Sequence, residues 1–239
     1  MRLPTMAGEI ERRLLVNYRV DPAALEGLLP SRFRLQLVDG YAVAGICLIR
    51  LGSLRPRGVP RAVGVRSENA AHRVAVEWEE NGTLRSGVYI PRRDTASRLT
   101  VLLGGRAFPG AHHRARFTVH ETESRLEVAF RSSDGSAQVD VAVTVTDELE
   151  GSRLFPTAES ASRFFEQGSV GFSPGHDPRE LEAVELTTHA WHVEPCRVES
   201  ARSTFFEGLP GEAPAVDCAL VMRKVPVLWN ALPGALAAG

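Results

Sequence analysis

The chain has 239 residues, of which 44% are hydrophobic and 24% charged, as is typical of a folded globular protein. Its 28 Lys and Arg residues nearly balance its 29 Asp and Glu residues, so the formal net charge is -1. No overall positive charge attracts nucleic acid or an anionic membrane, and neither is an expected partner. Lys224 is the only lysine. Imine formation with a substrate carbonyl is therefore restricted to that amine and the chain terminus.

The sequence predicts a cytoplasmic location. Residues 1–10 lack the apolar segment of a signal peptide, and no apolar run is long enough to span a bilayer. Cys47, Cys196 and Cys218 form neither a Cys-x-x-Cys pair nor a disulfide framework. We therefore expect free thiols in a reducing compartment.

The first half of the chain reads mainly as strands. Alternating Leu14, Val16 and Tyr18 predict a strand over residues 12–20. Asp21 and Pro22 then suit the start of a helix that stops at Pro30. The turn dipeptide Asp39-Gly40 predicts a hairpin between 35–38 and 41–51, and the second arm is apolar enough to be buried on both faces. Asn81-Gly82 predicts another hairpin, between 74–78 and 84–90.

The second half adds two short helices and further strands. Asp94 or Thr95 suits the cap of a helix that runs to Leu103, and a second helix is predicted over 159–167 and closed by Gly168. The predicted strands are three within 113–146, broken near 122–124 and 133–135, and others at 185–193, 196–200 and 219–227.

These elements indicate an α+β fold. Strands predominate, the helices are few and short, and strands and helices do not alternate regularly. No repeat or linker divides the sequence, so residues 1–239 are predicted to form a single domain. We expect a mostly antiparallel, β-barrel-like core, because closure hides the edges of a sheet.

The order of several short motifs resembles the acetoacetate decarboxylase superfamily. The motifs, in chain order, are Val16-Asn17-Tyr18-Arg19-Val20-Asp21, Leu28-Leu29-Pro30, Glu68 ahead of a hairpin, Gly105-Arg106, His189-Ala190-Trp191 and Leu209-Pro210. The sequence is most similar to the uncharacterised branch of that superfamily, which keeps the fold and lacks the reactive lysines. The resemblance implies an acetoacetate decarboxylase-like domain with a ligand cavity.

The chain departs from the superfamily at the reactive positions. The resemblance places the Schiff-base lysine at His113, the neighbouring lysine at Arg114, and the acid after Gly-Arg at Ala107. A further family carboxylate would lie within 41–51, which contains no acid. Imine-forming decarboxylation is therefore not expected, and a shared fold does not restore it.

The candidate site residues each have a functional and a structural interpretation. Arg106 suits a bidentate grip on a carboxylate, or a salt bridge to Glu68 that anchors the loop. His112 and His113 are adjacent, so on a strand they point to opposite sides, and the resemblance favours His113 as the general acid or base. Glu68 suits polarisation of a substrate, positioning of His113, or an ion pair.

A predicted strand places His189 and Trp191 on one face, where they form a ligand-stacking surface or pack in the core. No metal is expected, because His112 or His113 with His120 and His189 lacks the usual ligand spacing of zinc sites. No cofactor is expected either, since phosphate-loop and dinucleotide-binding motifs are absent from the sequence.

Three functions remain open on the sequence. The first is a small-molecule binding protein for an organic or keto acid, without Schiff-base chemistry. The second is a lyase or hydratase-type enzyme on a keto or enolisable acid, in which Arg106 holds the acid while His113 and Glu68 transfer protons. The third is a structural protein with a filled cavity. Of these, the sequence favours small-molecule binding, with the lyase or hydratase-type enzyme as the alternative; it leaves open whether the protein is an enzyme and whether it forms a homo-oligomer.

Overall fold

The computed structural model describes residues 4–103, 109–175, 177, 179–232 and 236–237. Within these residues lie fourteen strands and three α-helices. The strands are β1 Met6–Val20, β2 Arg34–Leu35, β3 Leu37–Val38, β4 Tyr41–Pro56, β5 Val65–Glu80, β6 Thr83–Thr95, β7 His112–Glu121, β8 Arg125–Ser132, β9 Gln138–Val145, β10 Val170–Pro174, β11 Glu180–Thr187, β12 Glu194–Ser203, β13 Ala215–Ala231 and β14 Leu236–Ala237. The helices are α1 Arg98–Leu103, α2 Ala158–Gln167 and α3 Thr204–Glu207.

The strands form one continuous sheet that closes on itself twice. Nine strands make the larger ring, in the order β1, β4, β5, β6, β7, β8, β9, β12 and β13. Strands β10 and β11 bridge β6 to β13 and so close a second ring, which shares β13, β1, β4, β5 and β6 with the first. Within the described residues the pairings are antiparallel except β6 with β7 and β6 with β10. This strand-rich, barrel-like core confirms the predicted α+β class.

The shared strands are buried on both faces because each face belongs to a different ring. Leu14, Leu15 and Val16 of β1 are all at most 1% exposed. Leu14 and Val16 belong to the cluster that fills the larger ring, and Leu15 packs in a second cluster with Phe165 of α2. Strand β4 is likewise buried throughout residues 42–48, as its apolar sequence predicted.

The two predicted turn dipeptides form the hairpins expected of them. Asp39 and Gly40 have φ values of 49° and 79°, and Asn81 and Gly82 have 51° and 74°. Positive φ at both central residues is the type I′ geometry, whose twist matches that of the flanking strands. The predicted helix over 159–167 is also confirmed, since α2 begins after the Thr157 cap and ends at Gly168.

Three predictions needed correction, and one strand was missed. The helix after Asp21 is a pair of single 3-10 turns, Pro22–Ala24 and Glu26–Leu28. Strand β6 continues through Thr95, so α1 begins later than predicted, and the Ser97 hydroxyl accepts a hydrogen bond from Thr100 N–H. Strand β10 was not predicted, since its five residues carry little periodicity. Strand β11 ends at Thr187, so the predicted strand over 185–193 is wrong beyond that residue.

None of the helices in the described part of the chain combines the length and apolar character needed to cross a bilayer.

Candidate functional site

A cavity of about 120 Å³ lies on the inner side of the second ring, between the shared strands and β11. Apolar side chains form most of its wall, including Ile49, Leu51 and Leu54 of β4 and Trp229 of β13. Among the described residues, the polar ones that line it are Ser67, Asn69, Arg93, Asp94, Thr100 and His112. An apolar cavity with a few convergent polar groups is the usual form of a small-molecule site.

Arg93 is the charged group best placed to hold an anion in this cavity. Its Nε donates to Ser173 Oγ at 2.8 Å, which fixes one edge of the guanidinium. Among the described residues no Asp or Glu forms an ion pair with Arg93, and its buried Nη2 has no hydrogen-bond partner. Burial lowers the pKa of Arg93 to about 10 against the opposing negative charge of Glu182, so the side chain stays charged at neutral pH. A guanidinium in this state can accept a carboxylate through its free edge.

The chain entering β7 is tied to the strands beside the cavity. Gly110 N–H donates to Glu182 Oε2 at 2.5 Å, and Ala111 N–H donates to Pro174 O at 3.1 Å. Gly110 has φ of +90°, and a Cβ there would lie 2.8 Å from Ser173 Cβ. Glycine is therefore required at this position both by the backbone conformation and by the close approach to Ser173.

The two adjacent histidines have different surroundings. Strand β7 runs parallel to β6, with His112 beside Arg93 and His113 beside Asp94. His112 lines the cavity, and its Nδ1 lies 2.8 Å from Gly110 O. His113 is absent from the described cavity wall; its side chain is 42% exposed and its Nδ1 lies 3.2 Å from Asp134 Oδ2. The structure thus brings His112 to the cavity, where the resemblance favoured His113.

A polar cluster surrounds His113, and of its members only Asp94 lines the cavity in the described residues. Arg92 donates to both carboxylate oxygens of Asp94, at 2.8 and 2.9 Å. Burial raises the pKa of Asp94, and its hydrogen bonds with Arg92 oppose that rise. Hydrogen bonds from Ser132 and Ser136 hold the pKa of Asp134 well below its usual range. These contacts within the protein account for the charged groups around His113 as part of the fold, without a ligand.

Glu68 lies in a network of ion pairs rather than beside the cavity. It accepts from Arg12 Nη2 at 2.6 Å and from Arg50 Nε at 2.5 Å. Glu121 completes the network, 3.4 Å from Arg12 and 3.0 Å from Arg50. Glu68 and these partners are not part of the described cavity wall. Among the described residues its partners are Arg12 and Arg50 rather than the His113 that the sequence suggested, and a salt bridge from Arg106 stays a prediction.

The remaining candidates do not join the site. His189 is exposed in the loop after β11 rather than on a strand. Trp191 is half-buried in the same loop, packs with the second cluster, and donates from Nε1 to Ser162 Oγ at 2.9 Å. The expected shared face of these two residues is therefore wrong, because the strand ends first. Arg106 lies outside the described residues, so its role stays a prediction.

No set of three or more His, Cys, Asp and Glu side chains is arranged to hold a metal ion in the described ranges. Lys224 is exposed on β13 and is not among the described lining residues of the cavity.

Known structures share this architecture. The chain resembles an acetoacetate decarboxylase-like enzyme from Sphingomonas wittichii RW1, with a TM-score of 0.59 and 16% identity over 99% of this chain and 93% of that one. It resembles the acetoacetate decarboxylase of Legionella pneumophila subsp. pneumophila str. Philadelphia 1, with a TM-score of 0.58 and 15% identity over 98% of this chain and 87% of that one. It also resembles the enduracididine biosynthesis enzyme MppR complexed with pyruvate, with a TM-score of 0.60 and 16% identity over 100% of this chain and 91% of that one. The protein therefore has the acetoacetate decarboxylase-like fold.

Within that fold class, the sequence matches the DUF2071 family over residues 8–226. That family is described as "Uncharacterized conserved protein", and the chain belongs to it. A comparison with curated protein sequences finds no match.

Sequence reasoning missed Arg93 because it ended the predicted strand at Ile90. Pro91 follows directly, and proline is uncommon inside paired strands. Strand β6 nevertheless continues to Thr95. The available signal was the segment Arg92-Arg93-Asp94. If the strand continues past Pro91, Arg92 and Asp94, which carry opposite charges, share one face and Arg93 lies on the other.

Proposed function

We propose that the protein binds a small organic acid in the cavity beside Arg93, without forming an imine. The observation that carries this proposal is a charged guanidinium that lines an apolar cavity, has one edge fixed by Ser173, and has no carboxylate partner among the described residues. Glu182 acts on Arg93 only from a distance, and a bound carboxylate would supply the direct ion pair that the described residues do not. The apolar wall would contact the rest of the ligand.

The volume of the cavity limits the ligand to a small molecule. A protein cavity of about 150 Å³ accommodates benzene, so this cavity of about 120 Å³ suits a ligand of about six heavy atoms or fewer. Short 2-oxo and 3-oxo acids have this size. The related fold of MppR has been solved in complex with pyruvate, which makes pyruvate a sensible first probe.

Thermal shift and calorimetric titration test the proposal with paired ligands. Pyruvate and acetoacetate should raise the Tm, and their methyl esters should not, because the esters keep the shape and lose the charge. Arg93→Lys keeps a charge but loses the forked geometry, and should weaken binding about 10- to 100-fold. Arg85→Lys is the matched control, since Arg85 lies on the same strand and its side chain is exposed.

Equal binding of the acids by the wild type and Arg93→Lys would contradict the role of Arg93. Equal binding of acids and esters would contradict recognition of a carboxylate.

One observation favours acid–base catalysis as a second candidate function. The carbonyl of Gly110 can only accept a hydrogen bond, so His112 Nδ1 carries a proton and the neutral ring has its lone pair on Nε2. This fixed tautomer at the cavity suits proton transfer on an enolisable acid. Exchange of the pyruvate methyl protons for deuterium, followed by NMR, should then be faster with the wild type than with His112→Gln. Equal rates would reject catalysis while leaving the binding proposal intact.

A further inference from the structure

Trp229 and Leu54 form part of the cavity wall on the side of the ring away from Arg93. In the second ring β13, which carries Trp229, lies opposite β6, which carries Arg93. Strands β10 and β11 separate them on one side, and β5, β4 and β1 on the other. Trp229 is fixed by strand pairing in both directions, with Met6 of β1 and with Leu186 of β11. A ligand held by Arg93 therefore extends towards a wall of defined position.

A β-bulge in β4 adds Leu54 to this wall. Leu51 pairs with Ser67 of β5 and Leu54 with Val65, so β4 has one extra residue between the two pairs. In a regular strand Leu51 and Leu54 would point to opposite faces, but with the bulge both line the cavity. Ser53, inside the bulge, has φ of 49°, which is uncommon for a residue other than glycine. The backbone of β4 is thus shaped to place both leucines at the cavity.

Gly8 of β1 lies against the two side chains of this wall and is not itself among the described lining residues. A Cβ at Gly8 would lie 3.3 Å from Trp229 Cζ3, 3.3 Å from Leu54 Cδ1 and 3.2 Å from Gly52 O. Carbon atoms pack best at about 3.5–4.0 Å, so a side chain at position 8 would displace the indole ring or the leucine. Because Gly8 has no side chain, both can pack directly against the backbone of β1.

We infer that Trp229 and Leu54, with Gly8 behind them, set the length of the acid that the cavity accepts. The inference rests on the proposed function, in which Arg93 holds the carboxylate. The other end of the ligand then meets the indole ring and Leu54. An acid of the size of pyruvate fits a cavity of about 120 Å³, whereas each further methylene must displace a packed side chain. The site therefore selects pyruvate-sized acids against longer 2-oxo acids.

Calorimetric titration with pyruvate, 2-oxobutyrate and 2-oxohexanoate tests the inference. The wild type should bind pyruvate about 10-fold more tightly than 2-oxohexanoate, because the longer chain overpacks the wall. Trp229→Ala should reverse this order by about 10-fold, since each methylene buried in the vacated space strengthens binding about 4-fold. Trp191→Ala is the matched control and should keep the wild-type order. Trp191 is also half-buried, but it donates to Ser162 and is not among the described lining residues.

Gly8→Ala perturbs the same wall in the opposite direction. The added methyl group should increase the preference for pyruvate over 2-oxobutyrate about 3-fold or more, because it displaces the wall side chains. This variant also decides the question if Trp229→Ala does not fold, which circular dichroism reveals.

The outcomes separate this inference from the proposed function. If the wild type binds pyruvate and the folded variants of Trp229 and Gly8 keep the wild-type preferences, the inference is overturned and the proposed function stands. A reversal of equal size in Trp191→Ala would also overturn the inference alone. A wild type that binds none of the three acids would overturn both.

Discussion

Neutralising Glu68 should destabilise the fold, because the substitution removes the acceptor shared by two arginines. The side chain of Arg12 is 1% exposed and that of Glu68 is 16% exposed, so the pair is largely removed from water. In Glu68→Gln the buried Arg12 keeps Glu121, at 3.4 Å, as its one charged partner among the described residues. Breaking a buried pair costs about 3–5 kcal/mol. For a chain of this length, the Tm should fall by about 6–20 °C.

Glu11→Gln provides the matched control for that variant. Glu11 pairs with Arg66 at 2.7 Å, but the Arg66 side chain is 64% exposed, and exposed pairs contribute only about 0–1 kcal/mol. Urea unfolding followed by circular dichroism gives the free energy of unfolding of both variants. A loss in Glu68→Gln no larger than that of the control would refute the reasoning. Unchanged stability combined with lost binding of pyruvate would instead favour the alternative in which Glu68 polarises a substrate.

Three further predictions follow from single side chains. Borohydride should trap no adduct with acetoacetate or pyruvate, since the sole lysine, Lys224, is exposed and not among the described lining residues of the cavity; a mass increase at Lys224 would contradict this. Burial lowers the pKa of His72 from 6.5 to about 3 in the folded protein. Between pH 3 and pH 6.5, the imidazole is therefore protonated in the unfolded chain and neutral in the folded one. Stability should therefore decrease as the pH falls from about 6.5 towards 3, by up to about 1.4 kcal/mol per pH unit, and the slope measured by urea unfolding should be smaller in His72→Gln. Burial raises the pKa values of Cys196 and Cys218 to about 12, so both thiols should resist a thiol reagent near pH 8 until the chain is unfolded; mass spectrometry that finds either labelled in the native protein would reject the assignment.

Local features of the fold were predictable because short-range chemistry determines them. The dipeptides Asp39-Gly40 and Asn81-Gly82 favour positive φ, and both form the expected turns. Alternation of apolar residues identified the three strands from His112 to Val145, and Gly168 ended α2 as predicted. The closure of the two rings was harder to predict from the sequence, because it depends on pairings between strands far apart in the chain, such as β11 with β13.

The site was harder to predict because it depends on where each strand starts and stops. A shift of one residue moves every side chain of a strand to the opposite face, and this decides whether His112 or His113 meets the cavity. Strand β6 passes through Pro91 and brings in Arg93, whereas β11 stops before His189. The Gly-Arg motif with Arg106 lies between Thr100 and Pro109 in the sequence, and both of these residues line the cavity, while the role of Arg106 stays a prediction.

A crystal structure of the protein soaked with pyruvate tests the central claim most directly. We predict pyruvate in the cavity of the second ring, with its carboxylate hydrogen-bonded to the terminal nitrogens of Arg93 and no covalent bond to the protein. Pyruvate bound with its carboxylate directed away from Arg93, or a cavity without pyruvate at saturating concentration, would contradict the claim.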